Sequence, residues 1–236
     1  MINRIAVNIK KLTEKRPVIM QDEYIQWVSY ANAGMLHQGN VYCFDYAIQH
    51  LPTTNPVIEI GSFCGLSTNV IAYFLSKHNK TNKFITADKW IFESAESAST
   101  IGHSISHAEY REFVKETYKR NVQFFSKNNL PYTIEEFSDE FFDLWSKKAN
   151  VTDVFNRQIQ LGGPVSFVYI DGNHTYEYAK RDFENAARFL DKGGFVLFDD
   201  SSWLSPFGCA ELMKEIMDNT EFQLVMKNPN YLFQKC

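Results

Sequence analysis

The strongest constraint in this sequence is a pair of short apolar runs separated by one amphipathic helix pattern. The first run, Val165–Ile170, is almost wholly apolar, as in strands that are buried on both faces of a sheet. Helical spacing follows over about Tyr176–Asp191, and Gly193-Gly194 is predicted to end that helix. The second run is Phe195–Phe198. A strand, a crossover helix and a second strand predict parallel neighbours in one sheet.

The same alternation of strands and helices continues through the rest of the chain. Five further strands are predicted, at Pro56–Ile60, Lys83–Ala87, Tyr132–Phe137, Phe222–Met226 and Tyr231–Gln234. The turn that joins the last two, Lys227–Asn230, is too short for a parallel crossover, so this pair is antiparallel. The predicted fold class is therefore α/β, with a doubly wound, mostly parallel seven-stranded sheet that ends in an antiparallel hairpin.

Two segments lie outside this alternation. Residues 1–54 are predicted as an N-terminal helical arm or cap, and residues 55–236 as the main domain. Within that domain, about residues 89–107 are rich in serine and alanine with little periodicity, which predicts an inserted loop or lid. Ser106 and Glu109 fit a capping box that opens the next helix.

Composition excludes several classes of protein. The chain has 236 residues, 44% of them hydrophobic, and a formal net charge of −4, which argues against nucleic-acid binding through bulk charge. No apolar run approaches the roughly 18–20 residues that a membrane span needs. The N-terminus lacks the pattern of a signal peptide. Cysteine spacing fits neither a disulfide framework nor a zinc site, so free thiols in a reducing cytoplasm are expected at Cys43, Cys64, Cys209 and Cys236.

The end of the first strand carries a glycine-containing turn. Ligands of open α/β sheets bind outside the carboxyl ends of the strands, where Gly61 and Gly65 allow backbone to approach a ligand closely. Ser67 and Thr68 follow at a helix N-terminus, which favours an anionic group. With only these two glycines, the GxGxxG fingerprint is not met. A plain tight turn between strand and helix is the alternative.

Acidic residues end three other strands. Asp88, after the second strand, is placed to accept hydrogen bonds from ribose hydroxyls, or else it caps the strand end. Asp171 and the pair Asp199-Asp200 converge if their strands are neighbours, since neighbouring strands lie about 4.8 Å apart. Such an oxygen cluster suits Mg²⁺, Ca²⁺ or Mn²⁺. The alternative is that one aspartate caps a helix and another faces water.

His174 stands three residues after Asp171, in the turn before the helix. Its imidazole would lie at the same edge of the sheet and is a candidate general base near neutral pH. A turn histidine bonded to backbone is the alternative. For His37, which follows a break between two helix patterns, a packing role is expected.

Two stretches of the chain resemble a known family. EIGSFCGLST, residues 59–68, is similar to the first motif of metal-dependent small-molecule O-methyltransferases of the catechol O-methyltransferase type. YIDGNHTYEYAKRDFENAARFLDKGGFVLFDD, residues 169–200, resembles macrolide-sugar O-methyltransferases and cephalosporin hydroxylase-like proteins. Over about residues 30–236 the chain thus resembles class I methyltransferases that depend on S-adenosylmethionine (SAM), with their Rossmann-like fold.

The resemblance implies a role for each matching position. It assigns the ribose of SAM to Asp88, catalysis to His174 as base together with Asp171, and a contact with the cofactor also to Asp171. It places Ser138 and Asp139 near the adenine. It implies that Mg²⁺ is held by Asp171, Asp199 and Asp200, and that the methionine part of SAM is surrounded by Glu59, Gly61, Phe63, Gly65 and Ser67.

The expected function is Mg²⁺-dependent O-methylation of a hydroxyl group on a small molecule, such as a sugar or a natural product. Three alternatives remain: a SAM-dependent methyltransferase that needs no metal, an NAD-dependent oxidoreductase, and a non-catalytic module that keeps the cofactor pocket. No nucleic-acid or membrane partner is expected. In relatives, N-terminal regions like residues 1–30 often serve oligomerisation or cover the site, so a homo-oligomer is one expectation.

Overall fold

The structure is a computed structural model that describes residues 16–92, 100–101 and 104–236. In chain order, the strands are β1 Val57–Ile60, β2 Phe84–Ala87, β3 Thr100–Ile101, β4 Ile105–Ser106, β5 Tyr132–Ile134, β6 Asn150–Thr152, β7 Gln158–Gln160, β8 Val165–Ile170, β9 Leu190–Phe198, β10 Phe222–Lys227 and β11 Tyr231–Lys235. The helices are α1 Glu23–Ala31, α2 Gln38–Gln49, α3 Leu66–Lys77, α4 His107–Phe125, α5 Ser138–Ser146, α6 Tyr176–Phe189 and α7 Cys209–Asp218.

One seven-stranded sheet organises the chain, in the order β10-β11-β9-β8-β1-β2-β5. From β9 to β5 all neighbours are parallel. Only β11 runs the other way, because it pairs antiparallel with both β9 and β10. This sheet, with a helix between most successive strands, confirms the predicted fold class.

Alternate residues of the central strands pack into two separate apolar cores. The residues that face one way, such as Phe167 of β8, pack with the apolar sides of α1, α2 and α3. The residues that face the other way, such as Val168, pack with α5, α6 and α7. Since side chains alternate across a strand, these are the two faces of the sheet. Helices on both faces explain why β1 and β8 are buried at every position.

The start of β9 differs from the sequence prediction. The helix predicted to Asp191 ends at Phe189, and β9 begins at Leu190 and contains the two glycines that were expected to stop the helix. Leu190 pairs with Val165, after which the register between the strands shifts. A Cβ on Gly194 would lie 3.0 Å from the Ser166 carbonyl oxygen, so the glycine permits close approach within the sheet.

Other local predictions have mixed outcomes. The capping box of Ser106 and Glu109 is present at the start of α4. The short hairpin β6–β7, with polar residues outward, was not predicted from the sequence. The proposed division at residues 54 and 55 stays a prediction, and residues 1–15, 93–99 and 102–103 of the predicted arm and lid lie outside the described residues. Within the described residues, no helix is long and apolar enough to cross a membrane.

Asp182 is a buried acid within α6, with a residue exposure of 2%. Its Oδ1 atom has no hydrogen-bond partner in the described part of the chain. Burial raises the pKa of Asp182 to about 7, although a hydrogen bond with the Ser138 side chain opposes that shift. The charged form is therefore disfavoured in the folded protein.

We predict that Asp182→Asn stabilises the protein only towards alkaline pH. A carboxyl group whose folded-state pKa is raised above its ordinary value of 3.8 costs stability progressively as pH rises through that window, because folding then opposes ionisation. We expect a gain of about 1–3 kcal/mol in unfolding free energy near pH 8 and little gain near pH 4. Urea denaturation at both pH values measures it, with the exposed Asp218→Asn as control. An equal gain at both pH values would contradict the assignment.

Candidate active site

The turn after β1 brings the ends of β1 and β8 into contact. Gly61 has φ +82°, and a Cβ there would lie 2.1 Å from the Asp171 carbonyl oxygen, so only glycine fits. Gly65 has φ +89° and stands at the N-cap of α3, with Val122 and Tyr118 packed against it. The turn therefore presents backbone rather than side chains at this edge of the sheet.

Glu59 ties the start of α3 to β1. It is fully buried, and the hydroxyls of Ser67 and Thr68 each donate a hydrogen bond to its carboxylate at 2.5 Å. Burial raises the pKa of Glu59 to about 8 against the effect of these two bonds. The hydroxyls at this helix N-terminus are thus hydrogen-bonded to Glu59. Contact of Glu59 and Ser67 with a cofactor stays a prediction.

Asp88 holds the glycine turn through backbone hydrogen bonds. Its Oδ2 accepts from the amides of Ser62 at 2.8 Å and Phe63 at 2.9 Å, and its Oδ1 accepts from the Trp90 amide at 2.6 Å. Burial raises the pKa of Asp88. The capping alternative is therefore realised, yet Oδ1 keeps a second lone pair that a ligand hydroxyl can use. The ribose role stays a prediction.

The predicted adenine residues stand in the first turn of α5. Asp139 accepts from the Asn185 amide and from Arg181, each at 3.2 Å, so it connects α5 to α6. Phe63, on the glycine turn, has φ +44° and packs edge-on against Phe92. These residues surround the sheet edge between β1 and β5, and their contacts with a cofactor remain predictions.

The acidic cluster lies where β8 and β9 end side by side. Asp199 follows β9, and its amide donates to the Ile170 carbonyl oxygen of β8 at 2.9 Å. One ligand atom each from Asp171, His174 and Asp199 lies within 4.8 Å of the others. His174 Nε2 is 3.8 Å from Asp171 Oδ1 and 3.8 Å from Asp200 Oδ2. The structure thus brings all four predicted residues together.

Asp200 differs from its neighbours in this cluster. It has φ +45°, and its side chain is 43% exposed, whereas Asp199 is buried. Burial and the Asp199 charge raise the pKa of Asp200, while His174 and His37 lower it. His37 also caps α2, where its Nδ1 accepts from the Gly39 amide at 2.9 Å, so its role is more than the packing predicted from the sequence.

The donor set of this cluster fits a hard divalent cation. Burial, followed by the nearby Asp199 carboxylate, raises the pKa of Asp171 well above its ordinary value. Three carboxylates meet one imidazole here, so the cluster carries excess negative charge. A cation such as Mg²⁺ or Mn²⁺ compensates such charge, and carboxylate oxygens are its preferred ligands.

Three polar residues of this site were not found from the sequence. Asn40 Nδ2 and Asn230 Nδ2 donate to the same atom, Asp199 Oδ1, at 2.5 and 2.9 Å. The Tyr169 hydroxyl donates to Asp171 Oδ2 at 3.1 Å. Tyr169 stands in an apolar strand, where it is indistinguishable from a core residue. Asn40 carries no signal of such a role in a helix pattern, because its contact with Asp199 depends on a distant part of the chain.

We predict that Asp199→Asn stabilises the metal-free protein near pH 8. Asparagine keeps an oxygen to accept from Asn40 and Asn230, but it removes the charge that faces Asp171. The expected gain in unfolding free energy is about 1–3 kcal/mol, since relief of like-charge repulsion at a functional site favours the fold. Urea denaturation in EDTA measures the gain, with the exposed Asp143→Asn as control. A loss of stability would show that the two carboxylates are not in conflict.

Comparison with known proteins agrees with this architecture. The model of a family described as "Methyltransferase domain" matches residues 58–201, which is more than half of the chain. An O-methyltransferase from Bacillus cereus, in complex with S-adenosylhomocysteine (SAH), has 14% identity and a TM-score of 0.56, with 92% of this chain and 91% of that chain covered.

Two further solved structures are similar at the same level. CalS11, a calicheamicin methyltransferase, has 15% identity and a TM-score of 0.55, covering 92% of this chain and 95% of that chain. A putative caffeoyl-CoA O-methyltransferase from Staphylococcus aureus has 12% identity and a TM-score of 0.58, covering 91% and 92%. At such low identities these structural similarities establish the fold alone. The match to the family model shows that the chain is a member of that family. The chain belongs to the methyltransferase-domain family and has its Rossmann-like fold, as its sequence motifs predict.

Proposed function

We propose that the protein transfers the methyl group of SAM to a hydroxyl group of a small molecule, with the help of a divalent cation. The observation that carries this proposal is the grouping of Asp171, His174 and Asp199 at the carboxyl edge of β8 and β9. The Gly61 turn lies against the backbone of Asp171. The proposed site for SAM and the proposed site for the cation are therefore adjacent.

The glycine turn and its neighbours are the proposed SAM site. Gly61 and Gly65 expose backbone, Asp88 Oδ1 keeps an acceptor for a ribose hydroxyl, and Ser138-Asp139 opens α5 beside them. The structure of the Bacillus cereus relative with SAH supports this choice of cofactor. The contacts of Glu59, Phe63 and Ser67 with SAM belong to the same proposal.

Asp171, Asp199 and Asp200 are the proposed ligands of Mg²⁺. When bound, the cation lowers the pKa of an acceptor hydroxyl group. The buried position of Asp199 and its two amide partners hold this carboxylate in place. Asp200 is the most exposed of the three, with 43% of its side chain accessible.

His174 is the proposed general base. Its Nε2 lies 3.8 Å from two carboxylates, which is beyond hydrogen-bond distance, so this nitrogen remains able to accept a proton. The backbone holds the residue in place, because the Cys209 amide donates to the His174 carbonyl oxygen at 3.0 Å. The partly exposed ring of Phe207 packs against the imidazole, with 5.4 Å between the two ring centroids, and shields one side of it.

The reaction balances with these groups. His174 takes the proton of the acceptor hydroxyl, and the acceptor oxygen forms a bond to the methyl carbon as the carbon–sulfur bond breaks. The sulfur keeps that electron pair, so the sulfonium becomes the neutral thioether of SAH. Such a displacement depends mainly on alignment of the reacting atoms, which the rigid ends of the strands provide. A sugar or natural-product acceptor is supported by CalS11, described as a TDP-rhamnose 3'-O-methyltransferase.

The cofactor and the metal can be tested without knowing the acceptor. We expect EDTA-treated protein to bind SAH in calorimetry and to give a separate binding heat with Mg²⁺. Asp199→Ala should lose the Mg²⁺ heat and keep SAH binding, because it removes an oxygen ligand and leaves the glycine turn intact. Failure of the wild-type protein to bind SAH would overturn the proposed activity. Once an acceptor is found, full turnover after exhaustive chelation would favour a methyltransferase that needs no metal.

His174→Ala distinguishes a base from a metal ligand. We expect this variant to keep SAH and Mg²⁺ affinity and to lose roughly 10²–10⁴-fold in methyl transfer from labelled SAM to a panel of catechols and nucleotide sugars. Phe207→Leu, which changes the neighbouring ring, serves as the control for local packing. A large drop in Mg²⁺ affinity would instead assign His174 to the cation.

A further inference from the structure

We propose that Asn40 is a positioning residue for the acidic cluster, so that the N-terminal helix α2 helps to form the metal site. The inference rests on the proposed function, because it concerns how two of the proposed ligands are oriented. Asn40 lies in the first turn of α2 and is fully buried. Its closest polar partner, Asp199, lies 159 positions later in the chain. The contact therefore depends on the tertiary fold and not on local structure.

The side-chain amide of Asn40 bonds to Asp199 directly and is linked to Asp171 through the Tyr169 hydroxyl. Its Nδ2 donates to Asp199 Oδ1 at 2.5 Å and to the Tyr169 hydroxyl oxygen at 3.3 Å. The Tyr169 hydroxyl in turn donates to Asp171 Oδ2 at 3.1 Å. The two acidic side chains are therefore oriented by one connected set of donors.

The direction of these hydrogen bonds is determined by backbone amides. Asn230 Oδ1 accepts from the amides of Ser201 and Ser202, each at 3.1 Å, and a backbone amide can only donate. Asn230 Nδ2 must then point to Asp199 Oδ1 and to Asn40 Oδ1, at 2.9 and 3.0 Å. It follows that Asn40 turns its oxygen to Asn230 and its NH₂ group to Asp199.

This arrangement engages Oδ1 of Asp199, which accepts from two side-chain amides. The Asp199 carboxylate is thereby held beside Asp171, with which it shares a side-chain hydrogen bond. A carboxylate that is already held in this orientation needs no rearrangement when the cation binds. A buried asparagine inside a helix is unfavourable for packing and for helix propensity, and the contact with Asp199 is the compensation that the structure shows.

The start of α2 packs closely against the turn between β10 and β11. A Cβ on Gly39 would lie 1.7 Å from the Asn228 carbonyl oxygen, so glycine is required before Asn40. Asn228 Nδ2 also donates to the Gly39 carbonyl oxygen at 3.1 Å. This close approach places Asn40 and Asn230 side by side above Asp199.

The test is a comparison of Mg²⁺ and SAH affinities in Asn40→Leu. Leucine has a similar volume and no donor, so it removes the hydrogen bonds without adding charge. We expect a loss of roughly 10-fold or more in Mg²⁺ affinity, as for other residues that orient metal ligands, and unchanged SAH affinity. Calorimetry on EDTA-treated protein gives both values, and thermal melting verifies that each variant is folded.

Asn82→Leu is the matched control. Asn82 is also buried and donates to the carbonyl oxygens of Thr53 and Asn55 at 2.9 and 2.6 Å, before the start of β2 and away from the cluster. This variant loses a buried amide of the same kind, so its Mg²⁺ affinity should stay at the wild-type value. An equal loss of affinity in Asn82→Leu and Asn40→Leu would overturn the inference, because general loosening would then explain both.

Tyr169→Phe gives a second measurement, which applies even if Asn40→Leu folds poorly. We expect weaker Mg²⁺ binding in Tyr169→Phe, and a combined loss in the double variant smaller than the sum, because the two residues act through one connected network. Wild-type Mg²⁺ affinity in Asn40→Leu or in Tyr169→Phe would overturn the inference. Absence of Mg²⁺ binding in the wild-type protein would instead overturn the metal part of the proposed function.

Discussion

Repulsion between Asp171 and Asp199 is the interaction on which this edge of the molecule depends. Parallel pairing of β8 with β9 brings both carboxylates to the same height, and burial denies them the screening that water would give. The fold accepts this cost because the strands are anchored on both faces by helices. Part of the charge is then met by hydrogen-bond donors, the Asn40 amide at Asp199 and the Tyr169 hydroxyl at Asp171. The imidazole of His174 lies 3.8 Å from Asp171, beyond hydrogen-bond distance.

Two further acidic residues show the same principle at the other half of the site. Glu59 and Asp88 lie behind the glycine turn, where each is satisfied by groups of the turn or of α3. Glu59 and Asp88 therefore hold the backbone of the glycine turn and the start of α3 in place. Asp171 and Asp200 instead remain partly exposed in the site. The division follows from their partners, since hydroxyls and amides surround Glu59 and Asp88, while Asp171 and Asp200 keep open sides.

Much of this site follows from the sequence, and the reasons are physical. Asp171 and Asp199 could be placed together because each directly follows a buried strand, and adjacent parallel strands end at one edge. The start of β9 could not be placed, since Gly193 and Gly194 suit a helix end as well as an irregular strand. Asn40 was beyond reach, because its meaning arises only when α2 packs against the turn before β11, far along the chain.

The position of that turn has a consequence for which parts of this chain orient Asp199. The shared region spans residues 58–201, but Asn40 and Asn230 lie on either side of it. Two side-chain partners of Asp199 are thus supplied by parts of the chain on either side of the matched region. In this chain the proposed cation site would therefore combine acids from within the matched region with amides from outside it, so its orientation depends on how the two ends of the chain pack against each other.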